Sequence, residues 1–230
     1  MKNYLRWQYG VKNGLKVLIY SSKLRLFGRF CLVLPVSLTF FSRLLAMRRA
    51  GAWLLALCLL SGTVQASDKH AWTALREGRA VLLLRHATAP GTGDPANFQL
   101  DDCRTQRNLN HVGREQAQRW GQLLRSHWIE PRLLSSRWCR AQDTAREMGL
   151  GAVEVLPALD SFFQTPNTAR EQTAALIEQI NAQARGVSLV LVSHQVNITA
   201  LTGVYPASGE GLILALPLEA PARVLARVQP

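Results

Sequence analysis

The stretch Ala80-Val81-Leu82-Leu83-Leu84, running directly into Arg85-His86, decides the fold. Five consecutive apolar residues leave a strand with no polar face, so it must be covered on both sides, as strands are in the parallel sheets of α/β proteins. The charged pair then falls at the strand's carboxyl end, where open α/β sheets gather their ligands.

Working outward, the order of elements repeats that logic. A Gly/Pro-rich loop (Pro90-Gly91-Thr92-Gly93-Asp94-Pro95) precedes a helix expected behind Asn110, with Gly113, Ala117, Trp120 and Leu124 on one face. Short strands are predicted at 132–135 and 153–156, with a helix at 139–150 between them whose Ala141, Ala145 and Met148 share a face. Thr168 with Glu171 three residues on reads as a capping box opening a helix striped with Thr173, Leu176, Ile177, Ile180 and Ala184. A nearly all-apolar strand at 187–192, a short helix at 195–201 and strands at 212–216 and 223–228 complete the chain, the last as an antiparallel edge near Pro217 and Pro221. Strands alternating with helices predict an α/β fold, a single three-layer α/β/α domain with a mostly parallel central sheet over residues 67–230.

The charge is distributed unevenly. The chain of 230 residues has a formal charge of +12, but residues 1–66 hold 10 of the 27 Lys and Arg and no Asp or Glu, leaving 17 basic against 15 acidic residues in the remainder. A basic nucleic-acid-binding face on the domain is therefore not supported by composition, and no nucleic-acid partner is expected. Met47-Arg48-Arg49, an apolar run from Ala50 to Leu60, and small residues at Val64 and Ala66 form a secretory signal pattern over 47–66, which places the mature chain near Ser67. Residues 1–46 fit a mis-assigned start; the alternative is an uncleaved anchor, which would associate the protein with the inner membrane. The expected location is the periplasm. Of four cysteines, Cys31 and Cys58 fall in the removed segment, leaving Cys103 and Cys139 either as a disulfide or as two buried thiols. Neither a CxxC nor a His/Cys cluster with metal spacing occurs, so neither metal nor cofactor is expected.

Three predicted strands end in chemically active residues: the first in Arg85-His86, the second in Ser135-Ser136 with Arg137 and Arg140 beyond, and the fourth in Ser193-His194. Arginine forks hold phosphate oxygens through paired hydrogen bonds, and a neutral imidazole is a competent nucleophile toward phosphorus. Singly, each residue is an ordinary buried or solvated polar group. Together they point to phosphoryl transfer through a histidine.

Leu84-Arg85-His86-Ala87 resembles the Arg-His-Gly signature of the histidine phosphatase superfamily (phosphoglycerate-mutase-like), with Ala87 in place of the usual Gly. Arg107-Asn108-Leu109-Asn110 with Gly113-Arg114-Glu115-Gln116-Ala117 is similar to its Leu-Thr-x-x-Gly-x-x-Gln-Ala segment, and Ser135-Ser136-Arg137-Trp138-Cys139-Arg140-Ala141 to its Ser-Ser-Pro-x-x-Arg-Ala block. Val192-Ser193-His194 matches the second histidine. The resemblance implies that His86 is the nucleophile, that Arg85, Arg140 and His194 clamp the phosphoryl oxygens, and that Arg107 adds a donor. It also implies a general acid between the second arginine and the second histidine; Asp160 is the positional match and Glu210 the alternative. Within the superfamily the chain looks most like small exported bacterial phosphatases, including lipopolysaccharide core heptose phosphatases. The implied activity is a metal-independent phosphomonoesterase acting on a small phosphorylated substrate such as an envelope sugar. A phosphohistidine phosphatase and a non-catalytic phospho-ligand-binding module are the alternatives.

Overall fold

The computed structural model describes residues 68–183 and 186–230, together with two short strands, Val11–Lys12 and Leu15–Lys16, that pair antiparallel. Apart from those four residues, the expected extension at 1–46 and the signal at 47–66 lie outside the described residues. The chain divides into two compact units at Ala52 and Trp53, and the architecture below belongs to the second.

Six strands form its sheet: β1 (Ala80–Arg85), β2 (Arg132–Ser135), β3 (Val153–Val155), β4 (Leu189–Ser193), β5 (Gly211–Ala215) and β6 (Val224–Val228), in the order β3-β2-β4-β1-β5-β6. Pairings β1–β4, β2–β4 and β2–β3 are parallel, while β1–β5 and β5–β6 are antiparallel. The sheet is thus mixed, which corrects the expectation of a mostly parallel one. The cause lies in residues 203–210, which return the chain to the carboxyl end of β1: the Arg85 N–H donates to the Glu210 carbonyl at 3.0 Å, and the Gly209 N–H to the His86 carbonyl at 3.2 Å. A strand that starts there can only run antiparallel to β1. Its apolar run reads the same in either direction, so the sequence carried no warning.

The alternation of β1 shows why both faces are covered. Leu82 and Leu84 pack with Leu75, Trp120, Leu124, Ala141 and Ala145, from a helix at 68–76 (α1), α2 (His111–Ser126) and α3 (Cys139–Glu147). Val81 and Leu83 pack on the other side with Leu176, Ile180, Ile198 and Leu201, from α4 (Ala169–Asn181) and α5 (Gln195–Thr202). Three layers result, because period-two alternation in a strand serves two helical layers at once.

Asn110 caps α2, its side-chain oxygen accepting the Gly113 N–H at 2.9 Å. Trp120, fully buried on that helix, donates its indole N–H to the Gly209 carbonyl at 2.8 Å and so helps hold the returning loop. The capping box expected at Thr168 is not formed: Thr168 precedes α4 in a 3-10 turn opened by Pro166, and its hydroxyl bonds the Thr165 carbonyl at 2.9 Å instead.

Candidate active site

Register brings the strand ends together. Arg85 pairs with Ser193 across β1 and β4, and Ser135 pairs with Val192 across β2 and β4, so His86, Ser136 and His194 leave three adjacent parallel strands at one level. The His86 N–H continues the ladder to the Ser193 carbonyl at 2.9 Å, and the Ser136 N–H to the Val192 carbonyl at 3.0 Å. Around these ends lies a cavity of about 150 Å³ lined by Arg85, His86, Asp94, Arg107, Arg140 and His194, with Trp138, Phe163, Tyr205 and the first residues of α5 among its walls.

The two imidazoles are oriented differently. His86 Nδ1 lies 2.8 Å from the Ala87 carbonyl. A carbonyl only accepts, so Nδ1 carries the proton and Nε2 keeps its lone pair. Burial, reinforced by the positive charge of Arg140, pushes the His86 pKa down to about 3, and the ring stays neutral. His194 contacts Ser136 Oγ through Nε2 at 2.7 Å, and that Oγ also accepts the Trp138 N–H at 3.1 Å. With Ser136 donating its hydroxyl proton to Nε2, His194 Nδ1 carries the ring proton; it is buried and has no partner among the described residues. Burial, followed by the neighbouring His86 and the arginines, holds the His194 pKa well below the usual value. The two rings meet edge to face, with centroids 5.4 Å apart.

The arginines are spent unequally. Arg85 donates from Nη1 to the Pro206 carbonyl at 2.8 Å, while its Nε is buried without a protein partner among the described residues. Arg140, the second residue of α3, has an equally unpartnered Nε, and its Nη1 and Nη2 reach Asp94 at 2.6 and 3.2 Å. Arg107 lines the cavity, but its Nε donates to the Gly93 carbonyl at 2.9 Å and its Nη1 to the Ala89 carbonyl, so two of its donors staple the loop after β1. Three buried donors around one small cavity, Arg85 Nε, Arg140 Nε and His194 Nδ1, suit a multi-oxygen anion.

Both expected proton donors, Asp160 and Glu210, are paired with arginines and are not among the residues lining the cavity. Asp160 is buried, but its oxygens accept the Arg137 backbone N–H at 2.8 Å and the Arg137 guanidinium at 2.6 Å, and it is not among the residues lining the cavity. Its backbone carbonyl accepts from Asn197 Nδ2 at 2.7 Å, so the residue fastens the β2–α3 turn to α5. Glu210 accepts the Ala207 N–H at 2.7 Å and Arg227 Nε at 2.6 Å. Burial alone would raise the Glu210 pKa, but these partners outweigh it and hold the carboxyl below its usual range. Spacing along the chain placed Asp160 near the site but could not reveal a competing arginine.

The carboxylate inside the cavity is Asp94, which sequence reasoning left in a loop. It is the one carboxylate among the described lining residues, and it also accepts the Trp138 indole N–H at 3.0 Å. No motif marks it; the only signal was an acidic residue in a Gly/Pro-rich loop following a reactive strand end. Cys103 and Cys139 are joined by a disulfide across a separation of 36 residues. Beside it Gln106 accepts the Cys139 N–H at 2.9 Å, so the loop before α2 is fastened to the first turn of α3, next to Arg140.

Residues 81–163 match the model of the histidine phosphatase superfamily (branch 1). No curated protein matches. Solved structures similar to the chain include a candidate phosphohistidine phosphatase SixA from Agrobacterium tumefaciens (19% identity, 66% of this chain and 99% of that one, TM-score 0.47). Another is the protein histidine phosphatase SixA complexed with tungstate (21%, 66% and 97%, TM-score 0.44). A third is the mycobacterial glucosyl-3-phosphoglycerate phosphatase complexed with VO3 (18%, 64% and 96%, TM-score 0.46). The match over residues 81–163, which spans β1, α2, β2 and α3 together with His86 and Arg140, supports the histidine phosphatase superfamily for this chain.

Proposed function

We propose that this protein is a metal-independent phosphomonoesterase that works through a phosphohistidine on His86, with a small phosphorylated molecule such as an envelope sugar as substrate. The observation that carries the reading is the orientation of His86: the Ala87 carbonyl occupies Nδ1, leaving a neutral ring with its lone pair on Nε2 in a cavity shared with Arg85 and Arg140, whose Nε donors have no partner among the described residues. The Nε2 lone pair attacks phosphorus. Arg85 and Arg140 then neutralise the equatorial oxygens while the neutral His194 ring donates a hydrogen bond to them, so charge held by the protein meets the charge that develops on phosphorus. Water hydrolyses the phosphohistidine and restores the ring.

We also propose that the domain acts in the periplasm. The signal pattern at 47–66 and the bonded pair Cys103–Cys139 support that placement, because structural disulfides persist in oxidising compartments.

Hydrolysis of p-nitrophenyl phosphate by the purified protein in the presence of a chelator is the test. Turnover that His86→Ala abolishes while phosphate binding persists is the expected result. Turnover that survives His86→Ala rules the mechanism out. A second reading, a phosphohistidine phosphatase, is favoured by the ion pairing of Asp160 and Glu210, since an imidazole leaving group needs little protonation. Phosphohistidine peptides cleaved far faster than any alkyl phosphate would select it.

A further inference from the structure

Asp94 lies where the chemistry lacks a proton carrier. Its carboxylate spans the fork of Arg140, with Oδ1 2.6 Å from Nη1 and Oδ2 3.2 Å from Nη2, and both side chains are nearly sealed from solvent, at 7% and 4% exposure. The carboxylate therefore holds the position that two phosphoryl oxygens would take on the same fork. Its loop is anchored by Arg107 to the Ala89 and Gly93 carbonyls and turns at Gly91 and Gly93, whose φ values of +93° and +68° suit glycine.

We infer that Asp94 is the proton-transfer residue of the reaction: incoming phosphate displaces its carboxylate from Arg140, and the freed carboxyl serves the leaving oxygen and then the water. This inference rests on the phosphohistidine reading above. The groups facing Asp94 are the Arg140 guanidinium and the Trp138 indole from α3 and its cap, and the Arg107 backbone N–H from the loop before α2; Arg85, His86, His194 and Tyr205 share the cavity. Burial raises the Asp94 pKa, but Arg140 and Trp138 outweigh it and keep the carboxyl below its usual range. Once phosphoryl oxygens take over Arg140, the carboxylate loses its counter-charge and gains an anionic neighbour. Both changes favour protonation, so substrate binding itself loads the acid.

The two steps balance. Nε2 of His86 bonds to phosphorus as the P–O ester bond breaks, and the departing pair on oxygen takes the proton of Asp94, releasing an alcohol. Asp94 then removes a proton from water, the water oxygen bonds to phosphorus, and the P–N pair returns to Nε2. The products are inorganic phosphate, a neutral His86 and a protonated Asp94, which gives its proton to solvent when phosphate leaves.

The experiment compares kcat/KM for p-nitrophenyl phosphate, whose leaving group needs no proton, with that for an alkyl phosphate, in the full-length wild type, Asp94→Asn, Asp94→Glu and Asp160→Asn. General-acid contributions predict a loss of about 100-fold or more on the alkyl ester in Asp94→Asn, with less than about fivefold on the nitrophenyl ester. Asp94→Glu should recover part of the alkyl activity, and Asp160→Asn should affect both esters alike. Equal loss on both esters in Asp94→Asn overturns the inference and makes Asp94 a strut for Arg140. A gain on both makes it only a competitor for the Arg140 fork and overturns the inference as well. Should Asp94→Asn fail to fold, the wild type decides: an alkyl rate within about tenfold of the nitrophenyl rate supports proton donation, and a deficit of about 1,000-fold or more overturns it. Wild-type turnover of neither ester overturns the proposed function along with this inference.

Discussion

At the scale of single residues, the site is an arrangement of buried charges that depend on one another. Arg140 and Asp94 are each nearly inaccessible and each is the other's counter-ion. Arg140→Ala leaves the Asp94 carboxylate with only the Trp138 indole and the Arg107 N–H as partners, which should cost on the order of 1–3 kcal/mol, measurable by urea unfolding at neutral pH. His86 makes a second prediction. Its pKa is near 6.5 in the unfolded chain and about 3 in the folded one, so the unfolded state binds the extra proton as pH falls. Stability from this group is complete above pH 6.5 and is lost toward pH 3, at up to about 1.4 kcal/mol per pH unit. Between pH 7 and pH 5 the wild type should lose up to about 2 kcal/mol more than His86→Gln does, in denaturant titrations at the two pH values. The departure at Ala87 also has a local reason. Its methyl packs with Ala89, Leu109 and Ala117, and its N–H reaches Thr144 Oγ1 at 3.0 Å, so a larger side chain than the usual glycine is accommodated.

At the scale of elements, two contacts set where α2 and α3 place their residues. Gly121 of α2 faces the Met148 carbonyl oxygen so closely that a Cβ there could not fit without moving the backbone. Gly121→Ala should therefore destabilise by several kcal/mol and depress phosphatase activity with it, because α3 carries Arg140; a thermal melt run beside the assay checks both. The Cys103–Cys139 bond closes a loop of 36 residues onto the first turn of α3. Chain-entropy arguments give it about 3–4 kcal/mol. Cys103→Ser with Cys139→Ser should lower the melting temperature and weaken phosphate binding, whereas a loss of stability alone would mean that Gln106 suffices to hold the turn.

At the scale of the whole domain, the site sits where three parallel strands end and one antiparallel strand begins. The antiparallel β5 contributes no cavity-lining residue, but the loop that feeds it supplies Tyr205 and the Pro206 carbonyl that orients Arg85. Anion binding at this junction draws on β1, β2, β4, α3 and that loop together, so it should stabilise the fold as a unit. Vanadate at about 100 times its Kd should add roughly 2.7 kcal/mol to the unfolding free energy of the wild type and nothing to that of a variant that does not bind it.

The sequence by itself determined the layers, all six strands to within a residue or two, and the histidines and arginines at the strand ends. These are local matters: apolar alternation obliges a strand to be covered, and a reactive residue that follows a parallel strand must appear at the sheet's carboxyl edge. Only the tertiary structure decided the direction of β5, the pairing of Asp160 with Arg137 and of Glu210 with Arg227, and the presence of Asp94 on Arg140. Each depends on which partner a charged or apolar group meets across a long loop. Asp160 and Arg137 are 23 residues apart, and Asp94 and Arg140 are 46. A carboxylate's role is set by the arginine that reaches it first, and that competition is settled only when the chain is packed.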